Sequence, residues 1–150
     1  MSDDFAELIE AWIDIWNGDL ALTDSTVHEG FTSHAAPLGG GPVQDSVGRE
    51  NLKTWVGGLR TAIPDLLFTV HIGPVISGDV IVLRWLAEGT YQGGFPGAAD
   101  DAVGRHVSFY GNDILRVADG LLAEYWIHAD GLWLLQQLGV REIPPLVRKP

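Results

Sequence analysis

The chain contains no cysteine, so a disulfide framework, a thiolate nucleophile and a thiolate metal site are all excluded. Cations are scarce: nine Lys and Arg stand against twenty Asp and Glu, for a formal net charge of −11. That balance repels phosphate backbones, and only Arg148-Lys149 places two cations together, so no nucleic-acid partner is expected. Long apolar runs are missing as well. No uninterrupted stretch approaches the ~20 residues of a membrane span, and Met1-Ser-Asp-Asp-Phe5 carries no basic region followed by an apolar one. The expectation is a cytoplasmic protein with no membrane partner.

Cofactor and nucleophile motifs are absent too. Gly39-Gly-Gly-Pro42 lacks the Lys-Ser/Thr and helix of a phosphate loop, and no Gly-x-Gly-x-x-Gly follows a strand. No Gly-x-Ser-x-Gly offers a strained serine elbow. His128-x-Asp130 with His34 makes a thin metal set that no His-x-His or His-Glu-x-x-His reinforces. Neither a metal nor an organic cofactor is therefore expected. What remains is acid–base chemistry or simple binding of a small molecule.

At 150 residues the chain is long enough for one domain with a core and a modest cavity. Phe5, Leu8, Ile9, Trp12, Ile13 and Trp16 recur at helical spacing, and Asn17-Gly18 closes that helix. Leu52, Trp55, Val56, Leu59 and Ile63 repeat the pattern up to Pro64. Strand-like runs follow at 66–72, 75–76, 80–91, 106–117 and 121–130, with Asp119-Gly120 suited to a tight hairpin, and a short helix covers 132–138. Helices first and a meander afterwards predict an α+β domain over residues 1–143, a curved antiparallel sheet with helices on one face, and a peripheral Pro-rich tail over 144–150.

The last strand carries Glu124, Trp126, His128 and Asp130 at spacings of two, which puts a carboxylate, an indole and an imidazole on one face. Two readings stand. In one, that face lines a cavity, where desolvation raises a carboxylate toward the pKa of a working base; Asp130 is the first candidate, with His128 beside it. In the other, Glu124, His128 and Asp130 are the wet face and Leu121, Ala123, Tyr125 and Ile127 meet the core, although Trp126 is then costly in water. Arg84 interrupts an apolar strand and needs an anionic partner if buried. Tyr110 and Asn112 share a strand face that projects beside the row, where they can orient a ligand. His34 lies where the chain leaves the first helical block.

In order, His34-Ala-Ala-Pro37, Gly48-Arg-Glu50, Ala62-Ile-Pro-Asp65, Gly78-Asp-Val-Ile-Val-Leu-Arg84, Gly89-Thr-Tyr-Gln-Gly93, Asp113-Ile-Leu-Arg-Val-Ala-Asp-Gly120, Glu124-Tyr-Trp126, Asp130 and Gln137-Leu-Gly139 resemble SnoaL-like polyketide cyclases and their ester-cyclase relatives. The resemblance spans residues 5–140. It implies the cone-shaped barrel of the NTF2-like superfamily, a deep apolar pocket enclosed by the N-terminal helices, and a homodimer. It further implies that Asp130 acts as general acid/base in an intramolecular aldol ring closure of a hydrophobic, aromatic, polyketide-like substrate, without metal or cofactor. His34, Arg84, Tyr110, Asn112 and Trp126 become expected substrate-binding residues and His128 a catalytic neighbour. The same fold houses noncatalytic binding modules, cofactor-independent hydroxylases and hydrolases, and Leu86 stands where a water-activating site would want a carboxylate.

Overall fold

The structure is a computed structural model that describes residues 5–38 and 40–142. The Pro-rich tail expected over 144–150 lies outside the described residues. Helix α1 (Ala6–Trp16) leads into a 3-10 turn (Leu20–Leu22) and one turn of α2 (Thr23–Thr26). Strands β1 (Val27–Ala35) and β2 (Gln44–Val47) precede α3 (Arg49–Ala62), and the chain then runs through β3 (Leu67–Ser77), β4 (Val80–Thr90), β5 (His106–Ala118), β6 (Leu121–Ala129) and α4 (Gly131–Gln137). The six strands form one curved sheet in the order β2-β1-β6-β5-β4-β3.

That order corrects the expected architecture in two respects. β1 and β2 had no strand signal, because Phe31–Pro42 reads as loop chemistry, yet they extend the sheet beyond β6. β1 also pairs parallel with β6, so the sheet is mixed, and it does not close into a complete barrel. A β1 that enters from the helical block reaches β6 only by a long crossover, which permits the parallel direction. The helices expected at α1 and α3 and the tight hairpin are present, whereas the runs expected at 66–72 and 75–76 form the single strand β3. Asp119 and Gly120 both have positive φ, 54° and 75°, as a two-residue hairpin turn requires.

α1 presents Ile9, Trp12, Ile15 and Trp16 to the concave face of the sheet. Its end is tied down: Asn17 donates through Nδ2 to the Phe68 carbonyl at 3.1 Å and accepts from the Phe68 N–H at 2.7 Å. Gly18, at φ 113°, lets the chain turn away. α3 buries Leu52, Val56 and Ala62. Aromatic rings fill the space between helices and sheet, with Trp12 edge-on to Tyr125 at 4.7 Å, Trp16 to Trp55 at 5.1 Å and Phe68 to Trp85 at 5.0 Å.

Gly111 on β5 faces its partner Trp85 on β4, and a Cβ at that position would collide with the indole ring. Glycine is thus what allows Trp85 to lie flat against β5. Gly111→Ala should lower stability by about 1–3 kcal/mol through forced displacement of the ring, read as a fall in Tm on thermal denaturation.

Candidate active site

The inward positions of β5 are Val107, Phe109, Gly111, Asp113, Leu115 and Val117, all buried. Among them one is a carboxylate. Asp113 is 2% exposed and accepts three hydrogen bonds: from Trp12 Nε1 to Oδ2 at 3.0 Å, and from Trp85 Nε1 and the Tyr125 hydroxyl to Oδ1, each at 2.9 Å. Donors therefore arrive from α1, β4 and β6. All three are neutral, so they orient the carboxylate without supplying a counter-charge. Burial pushes Asp113 up to about 6, with the three donors pulling the other way. Tyr125 is pushed well above the ordinary phenol value by burial and by the Asp113 charge.

Asp113 lies in the wall of a cavity of about 440 Å³. Trp16, Trp55, Phe68, Trp85, Phe109 and Tyr125 supply its aromatic lining. The segment Ala35–Leu38 with Gly40, and Gly131 with Leu132 at the start of α4, also border it. No Lys or Arg among the described residues lines it. Among the described residues, no group of three or more His, Asp or Glu side chains converges as a metal site.

The expected facing of β6 is reversed. Leu122 points inward opposite Val117, but the register slips by one residue between Arg116 and Val117, so that Glu124 pairs with Arg116 and Tyr125 with Leu115. This bulge at Ala123 turns every later side chain to the other face. Tyr125 and Ile127 line the cavity, whereas Glu124, Trp126 and His128 stand on the outer face opposite Arg116, Ile114 and Asn112. The indole is sheltered there by stacking on His34 at 5.3 Å. His128 is exposed and is also among the residues that border the cavity.

The other expected binding residues join Trp126 outside. Among the described residues no carboxylate pairs with Arg84, which sits 4.5 Å over the Tyr110 ring and donates to Asn112 Oδ1 at 3.3 Å. His34 lies between Asp45 and Glu124. Asp130 caps α4, its Oδ1 accepting the Trp133 N–H at 3.1 Å, and is exposed. The sequence does contain a clue to Asp113, since an acid in phase with Val107, Phe109, Leu115 and Val117 is either unpaired in a core or held there by donors.

Residues 6–138 match the family model described as SnoaL-like polyketide cyclase. The chain belongs to that family. Solved structures of similar proteins include TsrD from Streptomyces laurentii, 26% identical with a TM-score of 0.79 over 94% of this chain and 98% of that one. IdmH from Streptomyces antibioticus, proposed to be a polyketide cyclase, is 26% identical with a TM-score of 0.77 over 90% and 98% of the two chains. A SnoaL-like polyketide cyclase from Agrobacterium tumefaciens shares the fold at 19% identity, TM-score 0.69, over 88% of this chain and 95% of that one. No curated protein matches the chain. The family membership accounts for the α+β cone: helices over the concave face of a curved sheet, with a pocket between them.

Burying Asp113 has a measurable cost. Its folded value of about 6 lies above the ordinary 3.8, so the folded state holds the proton more tightly than the unfolded chain. The stability this group contributes is complete below 3.8 and is lost as pH rises through about 6, a change of about 3 kcal/mol for a shift of this size. Subtracting the pH dependence of urea unfolding for Asp113→Asn from that of the native chain should leave a decline of this order between pH 4 and 7. A flat difference would contradict the raised value.

Proposed function

We propose that this SnoaL-like protein is a cofactor-independent acid/base enzyme that closes a ring in a hydrophobic, polyketide-like carbonyl compound by intramolecular aldol addition. The observation that supports it is Asp113, the one carboxylate among the described residues that line the aromatic cavity. With Oδ1 accepting from two donors and Oδ2 from one, Oδ2 keeps a lone pair for a substrate proton. Asp113 takes a proton from the carbon beside a carbonyl, the resulting enolate carbon attacks a second carbonyl of the same molecule, and the new alkoxide takes a proton back. Atoms balance without a co-reactant. The Trp12 and Trp85 indoles act as positioning residues, since an indole N–H donates and does not itself titrate in this range. A carboxylate at about 6 is ionised at neutral pH yet more basic than an ordinary one, as proton abstraction from carbon demands.

Incubation with a panel of polyketide methyl esters and aromatic ketones, followed by mass spectrometry and chiral chromatography, tests the reading. A product of unchanged mass is expected; a gain of one oxygen would make the protein a hydroxylase, and binding without conversion would make it a binding module. Activity should rise with pH through about 6 as Asp113 ionises. Asp113→Asn should lower kcat by about 10²–10⁴. Asp130→Asn should leave kcat near native, because Asn caps a helix as well as Asp does. The opposite pattern would return the base to Asp130, the position the family resemblance implies.

We further propose a homodimer packed through the outer sheet face. Val75, Val82 and Ile114 lie side by side across β3, β4 and β5, and they are 61%, 38% and 40% exposed. Trp126 continues the row on β6, and Ile72 flanks it, paired with Arg84. Such a contiguous apolar strip is usually covered. Tyr125 and Ile127 face inward and take no part in this strip. Sedimentation at micromolar concentration should show a dimer that Val82→Glu converts to a monomer.

A further inference from the structure

β2 is an edge strand without an apolar anchor: Gln44, Asp45 and Val47 are exposed and Ser46 half-buried. Its ladder to β1 runs only from the Thr32–Val47 pair to the Ala35–Gln44 pair. Three further side-chain contacts bind it to its neighbours, the first from Asn51 Nδ2 on α3, which donates to the Val47 carbonyl at 2.8 Å. Ser33 Oγ donates weakly to the Ser46 carbonyl at 3.4 Å, whereas His34 Nδ1 lies 2.6 Å from Asp45 Oδ1. The other ring nitrogen, Nε2, lies 2.7 Å from Glu124 Oε2 on β6. Glu124 Oε1 in turn accepts from Arg116 Nε at 3.1 Å, and the Trp126 indole stacks on the imidazole.

Both carboxylates only accept, whereas a neutral imidazole has one N–H and one lone pair. Both short contacts together require the imidazolium. The chain that joins His34 to β2 is also the border of the cavity, since Ala35, Ala36, Pro37, Leu38 and Gly40 line it.

We propose that His34 is a latch on the cavity mouth: as imidazolium it clamps β2 to β1 and β6 and holds Ala35–Leu38 against the cavity, and as neutral imidazole it releases Asp45 and lets Ala35–Leu38 open. The latch regulates the site built around Asp113, and rests on the proposed catalysis only for its effect on turnover. Asp45 is the partner released because its side chain is 66% exposed, whereas that of Glu124 is 25% exposed and is held by Arg116. The charged groups facing the ring are Asp45 from β2 and Glu124 from β6, with Arg116 from β5 behind Glu124. Hydrogen bonds first to Asp45 and then to Glu124 raise the imidazole above its ordinary 6.5, outweighing desolvation. A raised value means that the clamp is complete at low pH and is lost as pH rises through it. Turnover then has two limits, ionisation of Asp113 on the acid side and opening of the latch on the alkaline side.

Three measurements that need no substrate test the latch. Histidine ¹⁵N shifts should report an imidazolium at His34 with a pKa above 6.5. Hydrogen exchange of the β2 amides, corrected for intrinsic rates, should accelerate about tenfold as pH crosses that value, in keeping with loss of one charge-assisted hydrogen bond. Release of the neutral dye Nile red, followed by stopped flow, should accelerate in parallel. In Asp45→Asn and His34→Gln, exchange at β2 should be fast at pH 6 and flat with pH. A His34 that titrates at or below 6.5, or β2 exchange equal in the native chain and both variants at pH 6, would overturn the proposal. Dye release that stays constant while β2 opens would overturn control of the mouth. Loss of turnover in Asp113→Asn bears on none of these readouts, so the latch and the catalytic assignment fail separately.

Discussion

The carboxylate of Asp113, sealed in an aromatic core, is the constraint around which the rest is arranged. An ionisable group with 2% exposure is unfavourable unless it is hydrogen-bonded, and three donors occupy all but one of its acceptor sites. Each comes from a different element, so α1, β4 and β6 must all be in place before the acid on β5 is tolerated. Trp12 needs the helix packed over the sheet; Trp85 needs the bare backbone of Gly111 beneath it. The same three contacts therefore lock the helix to the sheet and orient the carboxylate in the cavity wall.

Neutral donors matter to the chemistry. A guanidinium in their place would hold the carboxylate ionised and weakly basic, as an ion pair does. Indoles and a phenol orient it while burial keeps its proton affinity high, which leaves Asp113 at about 6. The surrounding rings give the cavity a flat apolar lining.

The two sheet faces are divided by the bulge at Ala123. Inside it, Tyr125 and Ile127 complete the cavity wall. Outside, Glu124 ties Arg116 to His34, and Trp126 is covered by the imidazole that Glu124 holds. One inserted residue thus decides which half of β6 meets the ligand. Polar bonding on the outer face reaches the cavity only indirectly, through β2 and the segment that borders the mouth.

Helical periodicity in α1 and α3, the Asp119-Gly120 hairpin and the order of motifs from His34 to Gly139 were enough to predict an α+β domain of the SnoaL-like kind, because these features depend on local spacing and on side-chain preference. β1 and β2 were illegible, since Val27–Ala35 and Gln44–Val47 gain their strand character from pairing with each other and with β6. Alternation along β6 left both facings open and the family resemblance implied the wrong one, because the bulge at Ala123, which puts Leu122 and Tyr125 on one side three residues apart, is fixed by pairing with β5. Asp113 stood in phase with buried residues in the sequence, but whether it was a mismatch or a site depended on Trp12, 101 positions away. Local chemistry set the elements; only tertiary contact decided which carboxylate is dry, because burial and hydrogen-bond partners are properties of neighbours in space.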